Sequence, residues 1–264
     1  MTSQQTKLIR ITPENSERRP SSLRLALAVA RLEMTSYTRS PVGFLFALLA
    51  PSVIFLIAVT FWYPEEFRAA AVPDVAALSV LSTGLFSIGV AITEQRKEGT
   101  LKTYLASPLS KTTYLAGQII DRVLVLFIGN FVMMLVAGLS YNLWPSGSPV
   151  LIASAFLLVI ATMLALGFTL SSRMRSVETA GLSSTVLFGV GMIAAGFFPL
   201  EGKVPGWVLT SMEYLPFWPM VGVLRSSWFN KLDGLETYFL VLIVWFLILF
   251  LASILFFRWT PDDQ

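Results

Sequence analysis

Residues 94–118 read EQRKEGTLKTYLASPLSKTTYLAGQ. This charged, amphipathic stretch interrupts a chain otherwise built of long apolar runs. A helix needs about 20 apolar residues to cross a hydrocarbon core of about 30 Å. Working outward from the interruption, six runs meet that length: Val42–Tyr63, Asp74–Thr93, Val123–Tyr141, Val150–Leu170, Thr179–Pro199 and Thr237–Phe257. The fold class is therefore an all-α polytopic membrane protein. A polar loop this long between the second and third spans reads as a docking surface for a soluble partner.

Composition supports the class. Of 264 residues, 55% are hydrophobic and 13% charged, against about 25% charged in soluble domains. The chain has no His and no Cys. That removes Ser-His-Asp and Cys-His nucleophilic centres, imidazole or thiolate metal sites, and disulfides. It also lacks the Gly-x-x-x-x-Gly-Lys-Ser/Thr phosphate loop. Catalytic, metal and cofactor residues are thus expected to be absent, and any ATP hydrolysis must come from another polypeptide. Residues 1–20 are polar and read as a disordered tail, not as a signal peptide.

Charge asymmetry sets the expected orientation. With the N-terminus inside, fifteen of the 19 Lys and Arg residues fall on inner segments. Only Arg68, Lys203, Arg225 and Lys231 fall outside. By the positive-inside rule both termini and residues 94–118 face the cytoplasm. Residues 21–40 read as an amphipathic interfacial helix, with Ser22 as N-cap. It places Leu23, Leu27, Ala30, Met34 and Tyr37 on one side, and Arg24 and Arg31 on another. Pro41 marks its end.

Inside the loop, Leu101, Tyr104, Leu105 and Pro108 form a short apolar face. Glu94, Arg96, Lys97, Glu98 and Lys102 surround it. Gly99 permits a turn before the short helix, Pro108 stops that helix, and Ser110 caps the next one. In the second span, Ser79, Thr83 and Ser87 recur every four residues. A small hydroxylated face of that kind favours a place inside the bundle. Residues 200–236 are too interrupted by Pro205, Pro216 and Pro219 to span, yet too apolar for a free loop. Two short helices dipping into the outer leaflet fit both facts.

The spacing Glu94-x-x-x-Glu98-Gly99-Thr100-Leu101-x-x-x-Leu105-x-Ser107-Pro108-Leu109-Ser110, followed by Leu115-x-Gly117-Gln118, resembles the intracellular loop of type-2 ABC exporter permeases. Gly196-Phe197-Phe198-Pro199, Val204-Pro205-Gly206-Trp207, Leu215-Pro216 and Leu224-Arg225 resemble the outer hairpin of the same family. The resemblance implies that 41–264 form a six-span permease domain, with a coupling helix within 94–118 and an outer re-entrant hairpin within 200–236. It implies contact with an ATP-binding subunit through Glu94, Arg96, Lys97, Glu98, Gly99, Thr100, Leu101, Lys102, Tyr104, Leu105 and Pro108. It also implies two such subunits, which bind ATP and Mg, and a second permease subunit, identical or paralogous. Membrane lipid is the remaining partner; nucleic acid is not one.

Asp74, Glu94, Asp121, Arg122 and Glu178 all fall at predicted span ends, so no titratable group is expected deep in the bundle. That argues against proton coupling. Asn130 is the one strongly polar mid-span side chain, read first as an interhelical hydrogen bond and second as a substrate contact. In the resembled family spans one and five line the export path, which implicates Phe55 and Met192. The expected function is outward movement of an apolar or amphipathic cargo across the cytoplasmic membrane. A secondary transporter or channel, and a membrane-embedded lipid-modifying enzyme, are the alternatives.

Overall fold

The computed structural model describes residues 21–39, 41–100, 110–174 and 176–256. Its described residues are helical, without strands. The order is α1 (Ser22–Thr38), α2 (Pro41–Phe61), a 3₁₀ turn (Glu65–Ala70), α3 (Ala71–Ser82), a π-helical segment (Thr83–Val90), α4 (Ala91–Lys97), α5 (Lys111–Tyr141), α6 (Pro149–Arg173), α7 (Val177–Ala194), α8 (Gly206–Glu213), α9 (Phe217–Trp228) and α10 (Leu235–Phe256). Among the described residues, six helical stretches are long and apolar enough to cross a membrane. The bundle thus has a loop end, where α4 finishes and α5 starts, and a hairpin end, carrying α8 and α9.

Local chemistry accounts for several boundaries. Pro41 stands first in α2, where its missing N–H costs nothing. Ser110 is extended and its hydroxyl accepts from the Thr113 amide, so it caps α5 as expected. Gly99 takes φ +78° just past α4 and its amide donates to the Arg96 carbonyl. At α1 the cap lies one residue earlier than expected: Ser21 Oγ accepts from the Arg24 amide at 3.4 Å.

One expectation about these elements needs correction. Span two runs as one 33-residue stretch, Glu65–Lys97. Its first turn contains Glu65, Glu66 and Arg68, which hydropathy excludes from a span, while Asp74 lies buried within it. α1 packs on α5 through a side of small residues. Ala26, Val29, Ala30 and Glu33 are buried, whereas Leu23 and Leu27 are exposed. The reason is close approach: a Cβ on Gly117 of α5 would lie 2.6 Å from Val29 Cβ and 2.8 Å from the Ala26 carbonyl. Small side chains let the two backbones meet there, and the leucines face outward.

Span two is the centre of the bundle. Val75, Val80, Leu81, Leu85 and Ile88 are almost wholly buried, and pack with Met163, Leu164 and Phe168 of α6. A Cβ on Gly167 would lie 1.9 Å from the Gly84 carbonyl, so α6 and the π segment are in backbone contact. Ser184 of α7 donates to the Leu85 carbonyl at 2.9 Å. A π turn inserts an extra residue into a helix and is often found at functional sites. Here it keeps Thr83 and Ser87 on the side of Ser79, so the hydroxyl face persists through the irregularity.

Candidate functional site

At the loop end, the flanks of residues 101–109 are tied to one another. The Tyr114 hydroxyl of α5 donates to Gln95 Oε1 of α4 at 2.7 Å. The Gln118 amide donates to Glu33 Oε1 of α1 at 2.8 Å, and Gln95 Nε2 lies 3.4 Å from the same oxygen. Asp121 and Arg122 pair beside this network and are buried. α1, α4 and α5 therefore meet in one polar seat.

The structure separates the residues of the expected contact surface. Glu94, Lys97, Glu98 and Thr100 are exposed and Gly99 is half-buried. Lys97 Nζ lies 3.6 Å from Glu178 Oε1 of α7, both exposed. Arg96 is the exception. It is buried and donates to the Ser171 and Met174 carbonyls at 3.1 and 3.2 Å. Those carbonyls close α6, where a cation complements the negative end of the helix dipole. Arg96 thus braces α4 against α6. Leu101, Lys102, Tyr104, Leu105 and Pro108 lie outside the described residues.

Several titratable groups expected at span ends or outside the spans are buried in protein at the two ends of the bundle. Glu33, Asp121 and Arg122 are buried at the loop end. α5 begins at Lys111, so Asp121 and Arg122 lie three turns into that helix. At the hairpin end, Asp74 is buried and takes two charge-assisted hydrogen bonds from Arg225 of α9. These run from Nε to Oδ1 and from Nη2 to Oδ2, each 2.6 Å. The Tyr63 hydroxyl donates to the same carboxylate. Arg225 thereby fastens the hairpin to span two. Burial, and then the Asp74 carboxylate, push the Tyr63 phenol above the ordinary tyrosine range. The Asp74 hydrogen bonds hold Arg225 more firmly protonated still.

Of the residues considered for a cargo path, Phe55 is fully buried and packs edge-to-face on Tyr141, with ring centroids 5.9 Å apart. Asn130 is buried and donates to Ser79 Oγ at 3.0 Å and to the Leu126 carbonyl at 2.9 Å. The interhelical bond is the reading the geometry supports. Met192 is half-buried on α7. Close packing explains Gly191, where a Cβ would meet Leu81 and Phe217 at 3.1 Å, but not Gly189, which faces open space.

Comparison with known proteins agrees with this architecture. The profile of the ABC-2 type transporter family matches residues 24–229, from α1 to the end of α9. A fluoroquinolones export permease protein from each of two Mycobacterium tuberculosis strains is 28% identical over 180 residues, 68% of this chain and 72% of theirs. The matched span takes in the polar seat and the hairpin clasp alike, and the chain belongs to the ABC-2 type transporter family.

Proposed function

We propose that the chain is the permease subunit of an exporter driven by a separate ATP-binding subunit, and that residues 94–110 are its coupling segment. The observation that carries this reading is the seat built by Glu33, Gln95, Tyr114 and Gln118. It ties both flanks of residues 101–109 to α1, so a push on that segment is not absorbed by fraying ends. Arg96 on the α6 carbonyls and Lys97 beside Glu178 extend the same bracing to α6 and α7.

In this reading the exposed Glu94, Lys97, Glu98 and Thr100 rim the contact, and Leu101, Tyr104 and Leu105 supply its apolar part. Rim charges set the association rate more than the affinity. A second permease pairs against the exposed apolar faces of α2 and α7, which include Leu49, Val53, Leu182 and Val186. Two ATP-binding subunits hold the ATP and Mg. The orientation is the one the charge asymmetry favours, with both termini in the cytoplasm of a cell bounded by this membrane, and α8 and α9 dipping into the outer leaflet. Cargo is apolar or amphipathic, in keeping with the fluoroquinolone export for which the mycobacterial relatives are named. The test is Leu101→Asp in a pull-down of the ATP-binding subunit. Association should be lost; unchanged association removes the coupling assignment.

The buried Glu33 and Asp121 sustain a second reading, in which ion or proton movement drives transport. It predicts cargo movement that persists after ATP depletion and stops when the proton gradient is collapsed.

A further inference from the structure

Two cavities lie end to end along α5. The inner one, about 190 Å³, is bounded by Phe46 and Pro51 of α2, Ser82, Thr83 and Ser87 of span two, and Arg122. The outer one, about 280 Å³, is bounded by Phe127 and Phe131 of α5, Phe156 of α6 and Trp228 of α9. Asn130 belongs to the wall of both. Its hydrogen bond to Ser79 closes the gap between them. Small-molecule sites usually occupy about 300–1,000 Å³. Neither chamber reaches that floor alone, while the two joined exceed it.

The inner chamber is polar along span two and at Arg122. The Ser79 hydroxyl donates to the Ala76 carbonyl at 2.8 Å. Ser82 and Thr83 donate to the Ser79 carbonyl at 3.0 and 2.8 Å. With their hydrogens held by the helix, these side chains turn oxygen lone pairs outward. The Arg122 guanidinium, also in the wall, gives Nη1 to Asp121 and carries further N–H donors. The chamber thus offers acceptors beside a donor, and its complement is a ligand with a polar group that both donates and accepts hydrogen bonds. The outer chamber is apolar, so the rest of that ligand is hydrocarbon or aromatic. Exposed Phe46 and Phe131 mark where each chamber opens laterally.

We propose that these chambers form a single cargo site within one protomer, that its ligands are apolar molecules bearing one polar group that both donates and accepts hydrogen bonds, and that the Asn130–Ser79 bond is the septum that parts to admit them. The site rests on the exporter reading for its purpose, but not for its detection. The adjoining π segment, Thr83–Val90, supplies the backbone freedom for Ser79 and Thr83 to draw away from α5.

The chain has no cysteine, so single thiols report position directly. Ala50→Cys places a thiol in the inner chamber wall and Ala153→Cys one in the outer. Leu247→Cys, on the exposed side of α10, is the control. Each full-length variant in lipid nanodiscs is alkylated with monobromobimane, with and without 1-aminoanthracene. At about ten times the probe's Kd, alkylation at both chamber thiols should slow about elevenfold, and Leu247→Cys should be unaffected. 1-Methylanthracene, of the same size without the amine, should protect Ala153→Cys alone. Protection of only one chamber by 1-aminoanthracene overturns the joined site. Equal protection by both probes at Ala50→Cys overturns the polar-group requirement, and equal protection of Leu247→Cys shows simple partitioning and overturns both. A chain that passes this test yet never binds an ATP-binding subunit would keep the site and lose the exporter reading. The converse would lose the site alone.

Discussion

Removing either member of the hairpin clasp should have very unequal effects. The Asp74 side chain is 1% exposed and the Arg225 side chain 44% exposed. Arg225→Met leaves a carboxylate stranded in the bundle with only the Tyr63 hydroxyl to satisfy it. Breaking a buried pair in that sense costs about 3–5 kcal/mol. Asp74→Asn keeps the Tyr63 contact and leaves a guanidinium that can turn toward water. Its cost is nearer the loss of a charged hydrogen bond at a half-exposed site, about 1–2 kcal/mol. The double variant strands no charge and should be more stable than Arg225→Met alone, with an interaction energy of about 0.5–3 kcal/mol. Thermal unfolding of the purified chain in detergent can be followed by tryptophan fluorescence, since Trp218 and Trp228 both lie on α9. The expected order of midpoints is parent, Asp74→Asn, double variant, Arg225→Met. If Asp74→Asn is at least as damaging as Arg225→Met, or the two costs simply add, the clasp does not hold the hairpin as described.

Gly167→Ala forces a Cβ into the Gly84 carbonyl and should destabilise by at least the usual 1–3 kcal/mol of overpacking, read in the same unfolding assay. Ser110→Ala should cost about 1 kcal/mol at the start of α5 and raise amide exchange in its first turn before any other. Tyr63 gives a pH signature. Its phenol is raised in the folded state, so the stability it contributes is complete below the ordinary tyrosine value of about 10 and is lost as pH rises through the folded value. Tyr63→Phe should lower the neutral midpoint, because the hydrogen bond to Asp74 is lost, and should remove that further alkaline loss. In a spectrophotometric titration, Tyr63 should be among the last phenols to ionise.

Features written in local sequence were legible. Pro41, Gly99 and Ser110 act through their own backbone and nearest neighbours, and each stands where its chemistry places it. Ser79, Thr83 and Ser87 could be assigned one face because hydroxyl spacing is visible without a partner. The clasp was not legible: Asp74 and Arg225 are 151 residues apart, and each reads singly as a charge at a membrane surface. Nor was the inward side of α1, since its packing is decided by Gly117 and not by its own leucines. The Glu33 seat was hidden for the same reason, because its partners Gln95 and Gln118 come from other helices. The π segment has no composition of its own. It appears only where α6 presses against Gly84 and Ser184 takes the Leu85 carbonyl.

The central claim is that energy enters through residues 94–110 from an ATP-binding subunit. The most direct measurement is efflux of 1-aminoanthracene from cells co-expressing this chain with its ATP-binding subunit, compared with the same pair carrying a disabled phosphate-loop lysine in that subunit. The account predicts that efflux needs the intact subunit and is abolished equally by Leu101→Asp in the permease. Efflux that continues with the disabled subunit and stops only when the proton gradient is collapsed would contradict it.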